Sequence, residues 1–336
     1  MKRILLLLLF SSFNIYSQVG GESIYNFLNL AGTARQAALG GKVLTLMDDV
    51  NQPIWNPSVI NNKLNNQLSV SYMNYLADIN MGTASYSNSI NEKLGTFHTS
   101  ISYLNYGSFV GADEDGIETG GFRAYDVALS IGYSYKILNS DFYIGSNLKM
   151  INSVIENYSS FGLGADIGFL YYNELDPFAF TAVIRNIGYQ IAVYDDEREQ
   201  LPTQVEIGAS YKLENVPITW HLTIDNIQKW KLSYSNPSNS ITDIDGNSKE
   251  ENISFSDNAI RHFSIGAELF SESAFNIRLG YNFRRSKELA LIDKRTFAGF
   301  TAGFGIRMNK FKFEYAFSKY HPATNASIFS LHINLD

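Results

Sequence analysis

From about residue 67 to its end the chain alternates apolar with small or polar side chains, in segments of about ten residues or more. Successive side chains of a strand point to opposite faces, so each segment carries one greasy face and one small or polar face. Phe161, Leu163, Ala165, Ile167, Phe169 and Tyr171 alternate with Gly162, Gly164, Asp166, Gly168 and Leu170. Phe311, Phe313, Tyr315 and Phe317 alternate with Lys312, Glu314, Ala316 and Ser318. A soluble sandwich also alternates, but its strands average about five or six residues. Membrane barrel strands need roughly nine to eleven, with apolar side chains towards lipid and small or polar ones towards the lumen. No apolar run has the length of a membrane-spanning helix.

The alternation predicts strands at 67–76, 80–90, 94–106, 122–137, 141–152, 161–172, 177–188, 204–213, 217–227, 259–271, 274–285, 297–308, 310–319 and 325–335. That is about fourteen, and an even number returns both chain ends to one side of the membrane. The expected even-numbered connections are short, at 91–93, 138–140, 173–176, 214–216, 272–273 and 309. The odd ones, after a brief first loop at 77–79, are mostly long: 107–121, 153–160, 189–203, 228–258, 286–296 and 320–324. Tight periplasmic turns alternating with longer outer loops are the habit of outer-membrane barrels. Aromatic residues near expected strand ends, Tyr72, Tyr75, Tyr103, Tyr106, Tyr171, Tyr172, Tyr281 and Phe283, suit girdles at the two interfaces.

Composition agrees. Of the 336 residues 18% are charged and 14% aromatic, against roughly 25% charged in ordinary soluble domains. Lys and Arg number 26 against 33 Asp and Glu, a net charge of -7. That lacks the basic footprint of phosphate-backbone binding, so no nucleic-acid partner is expected. The chain has no cysteine, which excludes disulfides, thiolate metal sites, cysteine nucleophiles and a lipidated N-terminal cysteine. Met1-Lys2-Arg3 followed by an apolar run from Ile4 to Phe10 reads as a signal peptide, residues 1–17, cut after Ser17. The expected location of the mature chain is the bacterial outer membrane, with lipid around it.

Residues 18–66 do not alternate. Ser23 to Leu30 and Thr33 to Leu39 read as two short helices, the second ended by Gly40-Gly41. Asp48-Asp49 and the turn signature Trp55-Asn56-Pro57 follow. With no sheet partner, this segment is expected to plug the barrel, and Arg35, Leu39, Asp48, Asp49, Trp55 and Asn56 are its candidate contact residues. The fold expected is therefore all-β: a transmembrane antiparallel barrel over residues 67–336 with a short N-terminal helical plug.

The run from Gly20 to Leu30, Ala34-Arg35-Gln36-Ala37-Ala38-Leu39-Gly40-Gly41, Asp48-Asp49 and Asn56-Pro57 resembles the PorQ family of the type IX secretion system. Residues 75–80, 158–163, Arg185-Asn186-Ile187-Gly188 and Gln228-Lys229-Trp230 extend the resemblance over nearly the whole mature chain. The Ala-Arg to Asn-Pro part alone is similar to PorV and FadL-like barrels more widely, and by itself carries only the fold. The resemblance implies a fourteen-stranded barrel of Bacteroidota in the cell-surface attachment complex. There it would anchor a PorZ-like surface protein beside PorU- and PorV-type partners, which link cargo to anionic lipopolysaccharide.

Nothing in the sequence suggests catalysis or a cofactor. His98, His221, His262, His321 and His332 fall at no ligand spacing, and no G-x-S-x-G elbow occurs. Gly162, Gly164 and Gly168 miss the dinucleotide spacing and lie on a strand, where they leave lumen space for a plug. By parity Lys136, Lys149, Asp166, Glu206, Lys212, Glu268, Arg278, Arg307, Lys312 and Glu314 face the lumen. Their mixed signs predict cross-lumen pairing rather than an ion-selective ring. Asp113-Glu114-Asp115, residues 195–199 and Asp243-Ile244-Asp245-Gly246 offer oxygen ligands for Ca²⁺, but none completes an EF-hand loop, and they read first as solvated loop charge. The long loop at 228–258, with Trp230, Tyr234, Asp243 and Asp245, is the expected docking surface for a partner. The leading expectation is a non-catalytic anchor. The alternative is a FadL-like transporter of a hydrophobic small molecule, which a ligand-sized apolar lumen pocket would favour and a lumen packed with paired charges would oppose. An outer-membrane enzyme ranks last.

Overall fold

The computed structural model describes residues 23–91, 95–233, 241–242, 248–249, 254–289, 297–322 and 324–336. The barrel wall consists of β1 (Gln67–Leu76), β2 (Ile79–Asn91), β3 (Gly95–Ala112), β4 (Glu118–Lys136), β5 (Phe142–Ile155), β6 (Tyr158–Tyr172), β7 (Phe178–Ala192), β8 (Gln204–Lys212) and β9 (Ile218–Ile224). After a separate hairpin of β10 (Ile241–Thr242) and β11 (Ser248–Lys249) it continues with β12 (Phe263–Leu269), β13 (Phe275–Asn282), β14 (Phe300–Met308), β15 (Phe311–His321) and β16 (Thr324–Asn334). Each wall strand pairs antiparallel with its neighbours, and β16 closes onto β1 with Gln67 opposite Asn334 and Asn74 opposite Ser327. Closure leaves no strand edge, the condition for a sheet in lipid, where nothing else satisfies backbone polar groups.

On β5, Ile144, Leu148 and Met150 point outward at 47%, 69% and 54% exposure, while Asn147 and Lys149 between them are buried in the lumen. An apolar belt of this kind continues around the molecule and belongs against hydrocarbon. Stacked rings, Phe142 on Phe169 and Tyr171 on Phe178, form part of the periplasmic girdle.

The strands overrun the expected boundaries on one side and fall short on the other. β3 and β4 extend as a ribbon, so the expected loop 107–121 shrinks to a turn at 113–117, and the expected loop 153–160 becomes a turn at 156–157. The expected strand 259–271 begins only at Phe263, because α2 (Phe255–Ile260) precedes it, its start capped by the Ser254 hydroxyl accepting from Asp257 N–H. The expected strand 274–285 ends at Asn282, whose side chain accepts from Arg285 N–H and starts α3 (Phe283–Glu288). Long outer connections thus cluster at 193–203, 225–262 and 283–299 rather than recurring at every odd position.

Residues 23–66 thread the lumen as short 3-10 turns and one helix, α1 (Ala34–Ala38). The first expected helix is a 3-10 turn at Asn26–Asn29. Five residues cannot hold an α-helix alone. The wall supplies what the sequence lacks: Thr33 gives no side-chain cap, but Ser330 accepts from Ala34 N–H, and Thr301 donates to Ala38 C=O while accepting from Gly40 N–H. Gly40 and Gly41, at φ 91° and 86°, then turn the chain away in a conformation other residues adopt only at a cost.

Candidate functional site

The plug is seated on wall glycines. A Cβ at Gly145 would lie 2.4 Å from Pro57 C and O, one at Gly168 2.3 Å from Asn56 Oδ1, and one at Gly280 2.2 Å from Gly40 N. Leu39 is fully buried against Gly266. Asn56 accepts from Ser58 N–H and donates to Leu44 C=O and to Thr181 Oγ1, which ties the plug turn to β7.

Charge fixes the seat. Arg35 of α1 donates to Asp48 at 2.8 Å and to Glu268 at 2.6 Å. Glu268 accepts from Arg278 at 2.7 Å, and Arg278 reaches Glu314 at 2.8 Å. Lys312 and His332 complete that node, at 2.7 Å and 3.0 Å from the Glu314 carboxylate. Carboxylates and cations thus alternate through the node, the pairing that buried charge requires. A second group joins Lys42 to Asp225 at 2.8 Å and Glu206 at 3.3 Å, while Arg185 donates to Leu28 C=O and lies 4.0 Å above the Trp55 ring. A third sets Lys149 2.7 Å from Asp166 and 2.8 Å from the Asn186 side-chain oxygen.

Of the charges that parity placed inside, Lys149, Asp166, Glu206, Glu268, Arg278 and Glu314 are buried and Lys312 nearly so, whereas Lys136, Lys212 and Arg307 are exposed. Those three stand at the periplasmic ends of strands, where parity no longer sets the environment. Arg185 shares a face with Ala179, Thr181 and Val183, so the same parity could have found it. The bulge beside it, with Asn186 at φ 56° and also turned inward, had no sequence signal.

Asp49 accepts from Asn51 N–H, and with Glu314 and His332 it places three potential metal-ligand atoms within 4.8 Å. Arg278 and Lys312 on the same Glu314 carboxylate make this an ion-pair node hostile to a dication. The other described histidine contacts are structural: His98 meets Val50 C=O at 2.9 Å, His221 meets the Thr45 hydroxyl at 3.2 Å, and His262 bridges the Asp225 and Trp230 carbonyls.

The space enclosed beneath the first plug turn, between Leu28 and Ile54 on one side and Ser102, Ser130 and Lys149 on the other, is about 30 Å³. That admits water, not an organic ligand, whose sites run to roughly 300 Å³ and more. At the outer mouth Tyr106 donates to Asp126 at 2.6 Å, Tyr194 donates to Ser153, and Gln200 C=O accepts from Ile24 N–H, so the 193–203 loop is clamped to the start of the described plug. Burial, with Asp126 nearby, pushes the Tyr194 phenol up to about 12.

The expected docking residues part company. Trp230 stacks on Phe255 and His262, and its carbonyl accepts from Asn258, which builds it into the rim. Tyr234, Asp243 and Asp245 lie outside the described residues. Asp113 spends its carboxylate on the N–H groups of Asp115 and Ile117, and Arg198 lies 4.1 Å above the Tyr189 ring, so the two described acidic stretches occupy separate, self-contained turns.

No family model matches the chain, and no curated protein matches it in sequence. Solved structures do match. The Ralstonia pickettii toluene transporter TbuX superimposes with a TM-score of 0.53 at 10% identity, covering 92% of this chain and 100% of its own. A mutant of the TodX monoaromatic hydrocarbon channel gives 0.53 at 13% identity, covering 90% and 97%. A Pseudomonas aeruginosa FadL homologue gives 0.50 at 11%, covering 90% and 98%. The fold is that of the FadL-type outer-membrane barrels. The first two of these neighbours are named as a transporter and a channel, and at such identities all three carry the fold alone.

Proposed function

We propose that the chain is a non-catalytic outer-membrane anchor: a plugged barrel whose outer loops hold a surface protein, as a component of the type IX secretion attachment complex. The observation that carries this reading is the lumen among the described residues, where paired charges and glycine seats hold the plug and the space under its first turn is about 30 Å³. The sequence resemblance to the PorQ family supplies the partner class, a PorZ-like protein and through it PorU- and PorV-type proteins. Export by cleavage after Ser17 belongs to the same proposal.

The test is a mild-detergent pull-down of a tagged barrel from cells. Recovery of a large soluble surface protein, lost on deleting residues 234–253 or the β3–β4 ribbon 108–122, supports the anchor. A barrel recovered alone from cells whose cargo still reaches the surface sinks it.

The second reading is FadL-like transport of a hydrophobic small molecule, and the toluene transporter and hydrocarbon channel among the structural neighbours weigh on its side. An apolar ligand extracted from the purified barrel, or toluene uptake that depends on the chain, moves this reading to first place.

A further inference from the structure

The wall is not equally tall all round. β3 and β4 run for 18 and 19 residues, β9 and β12 for 7 each. Seven residues at about 3.4 Å, tilted by about 40°, cover roughly 18 Å of an apolar band about 25 Å tall. On this side the upper wall is made of something other than regular strand.

The chain after β9 supplies it. Ile227 N–H donates to Val205 C=O, and the Gln228 side-chain amide copies a strand, accepting from Val205 N–H at 2.9 Å and donating to Thr203 C=O at 2.8 Å. Asn258 ties Leu232 and Ser233 back to α2 through their N–H groups. These bonds satisfy several backbone groups of the segment while an apolar column faces outward: Trp220, Leu222, Ile227, Trp230 and Phe255, the last 75% exposed. Trp230 stacked on Phe255 is an aromatic anchor at the level of the outer leaflet.

Beside this column, among the described residues, stand Lys231, Arg261 and Lys287, with Asp257 as their acidic companion. Asp257 holds Arg261 and Lys287 together at 3.0 Å and 2.9 Å, which joins α2 to α3. A cationic cluster on a chain of net charge -7, beside the outward-facing aromatics Trp230 and Phe255, has a defined complement. We infer that this ledge binds the phosphate of an outer-leaflet glycolipid of the lipid A type, acyl chains against Leu222, Ile227 and Trp230 and phosphate on the lysines.

The experiment titrates the purified full-length barrel in detergent with diphosphoryl lipid A and with its dephosphorylated form, bound lipid being counted by native mass spectrometry. Diphosphoryl lipid A is expected to bind more tightly, and each of Lys231→Gln and Lys287→Gln to weaken it about fivefold, the ordinary contribution of one cation at an anionic surface. Lys63→Gln, in the 3-10 turn before β1, and Lys212→Gln, at the periplasmic end of β8, should leave binding unchanged. Folding is checked by heat-modifiable migration. Should a glutamine variant fail to fold, the matching Lys→Arg variant retains both charge and binding. Equal binding of the dephosphorylated lipid, or full binding by the folded double glutamine variant, overturns the proposal.

Discussion

Gly280 has no room for a side chain, because the backbone of Gly40 and Leu39 already occupies the space a Cβ would take. Gly145 is in the same position against Pro57. Overpacking costs about 1–3 kcal/mol in a packed interior, so Gly280→Ala and Gly145→Ala should each lower the urea unfolding free energy of the barrel by about that much. Gly82→Ala, with nothing within 4 Å of its Cβ, is the control and should be close to neutral. Arg278 makes the complementary argument from charge. It sits fully buried between Glu268 and Glu314, and removing one partner of a buried pair costs about 3–5 kcal/mol because the other charge stays behind. Arg278→Met should be destabilising to that extent, and adding Glu314→Gln should recover part of the loss. Strict additivity of the two changes in a double-mutant cycle would show that the pair is not coupled.

Among the elements, those with full-length alternation were legible in the sequence and those replaced by side-chain chemistry were not. β5 and β6 carry an unbroken two-residue period, and their inward glycines and charges fall where parity puts them. The sequence offered Arg35, Asp48 and Asp49 as candidate contacts of the N-terminal segment, but held no sign of the pairing of Arg35 with Glu268, which joins residues 233 positions apart. The period also runs on through residues 259–262, yet Ser254 and Asn282 cap short helices there, a local signal that the longer alternation masks. The junction of those helices makes a pH prediction. The Lys287 hydrogen bond first, then Arg261, hold the Asp257 carboxyl below its usual range of about 3.8, against an opposing effect of burial. A depressed carboxylate contributes stability above its unfolded value and loses it as pH falls through the lower folded one. The α2–α3 contact should therefore be constant from neutral pH down to about 4 and loosen only below that. The fluorescence of Trp230, which stacks on Phe255, reports it as the difference between the unaltered barrel and a Trp230→Phe control that keeps Trp55 and Trp220. In Asp257→Asn the acid transition should be absent, and a transition retained there would assign it to another group.

For the whole molecule the deciding property is whether the plug moves. A gate needs two arrangements of similar free energy, and here one arrangement is held at both ends of α1 by wall hydroxyls, along its length by Arg35, and beyond it by the Asn56 turn. Local opening free energies run from near zero at frayed ends to the global value in the core. Plug amides at 34–60 are therefore expected to exchange with solvent deuterium only as slowly as those of β5–β7 and β13–β16, which form their seat. The outer ribbon at 108–122, paired with nothing but itself, should exchange far earlier. Saturating toluene supplies the contrast, since a transported ligand must bind better to an opened state and thereby raise its population. Under the anchor reading, exchange across 34–60 is the same with and without toluene, and the reconstituted barrel passes no steady ionic current because paired charge fills its bore. Toluene that speeds exchange at Arg35 and Asn56 while sparing the barrel strands would mean that the ion pairs are a latch rather than a weld, and transport would then be the chain's work.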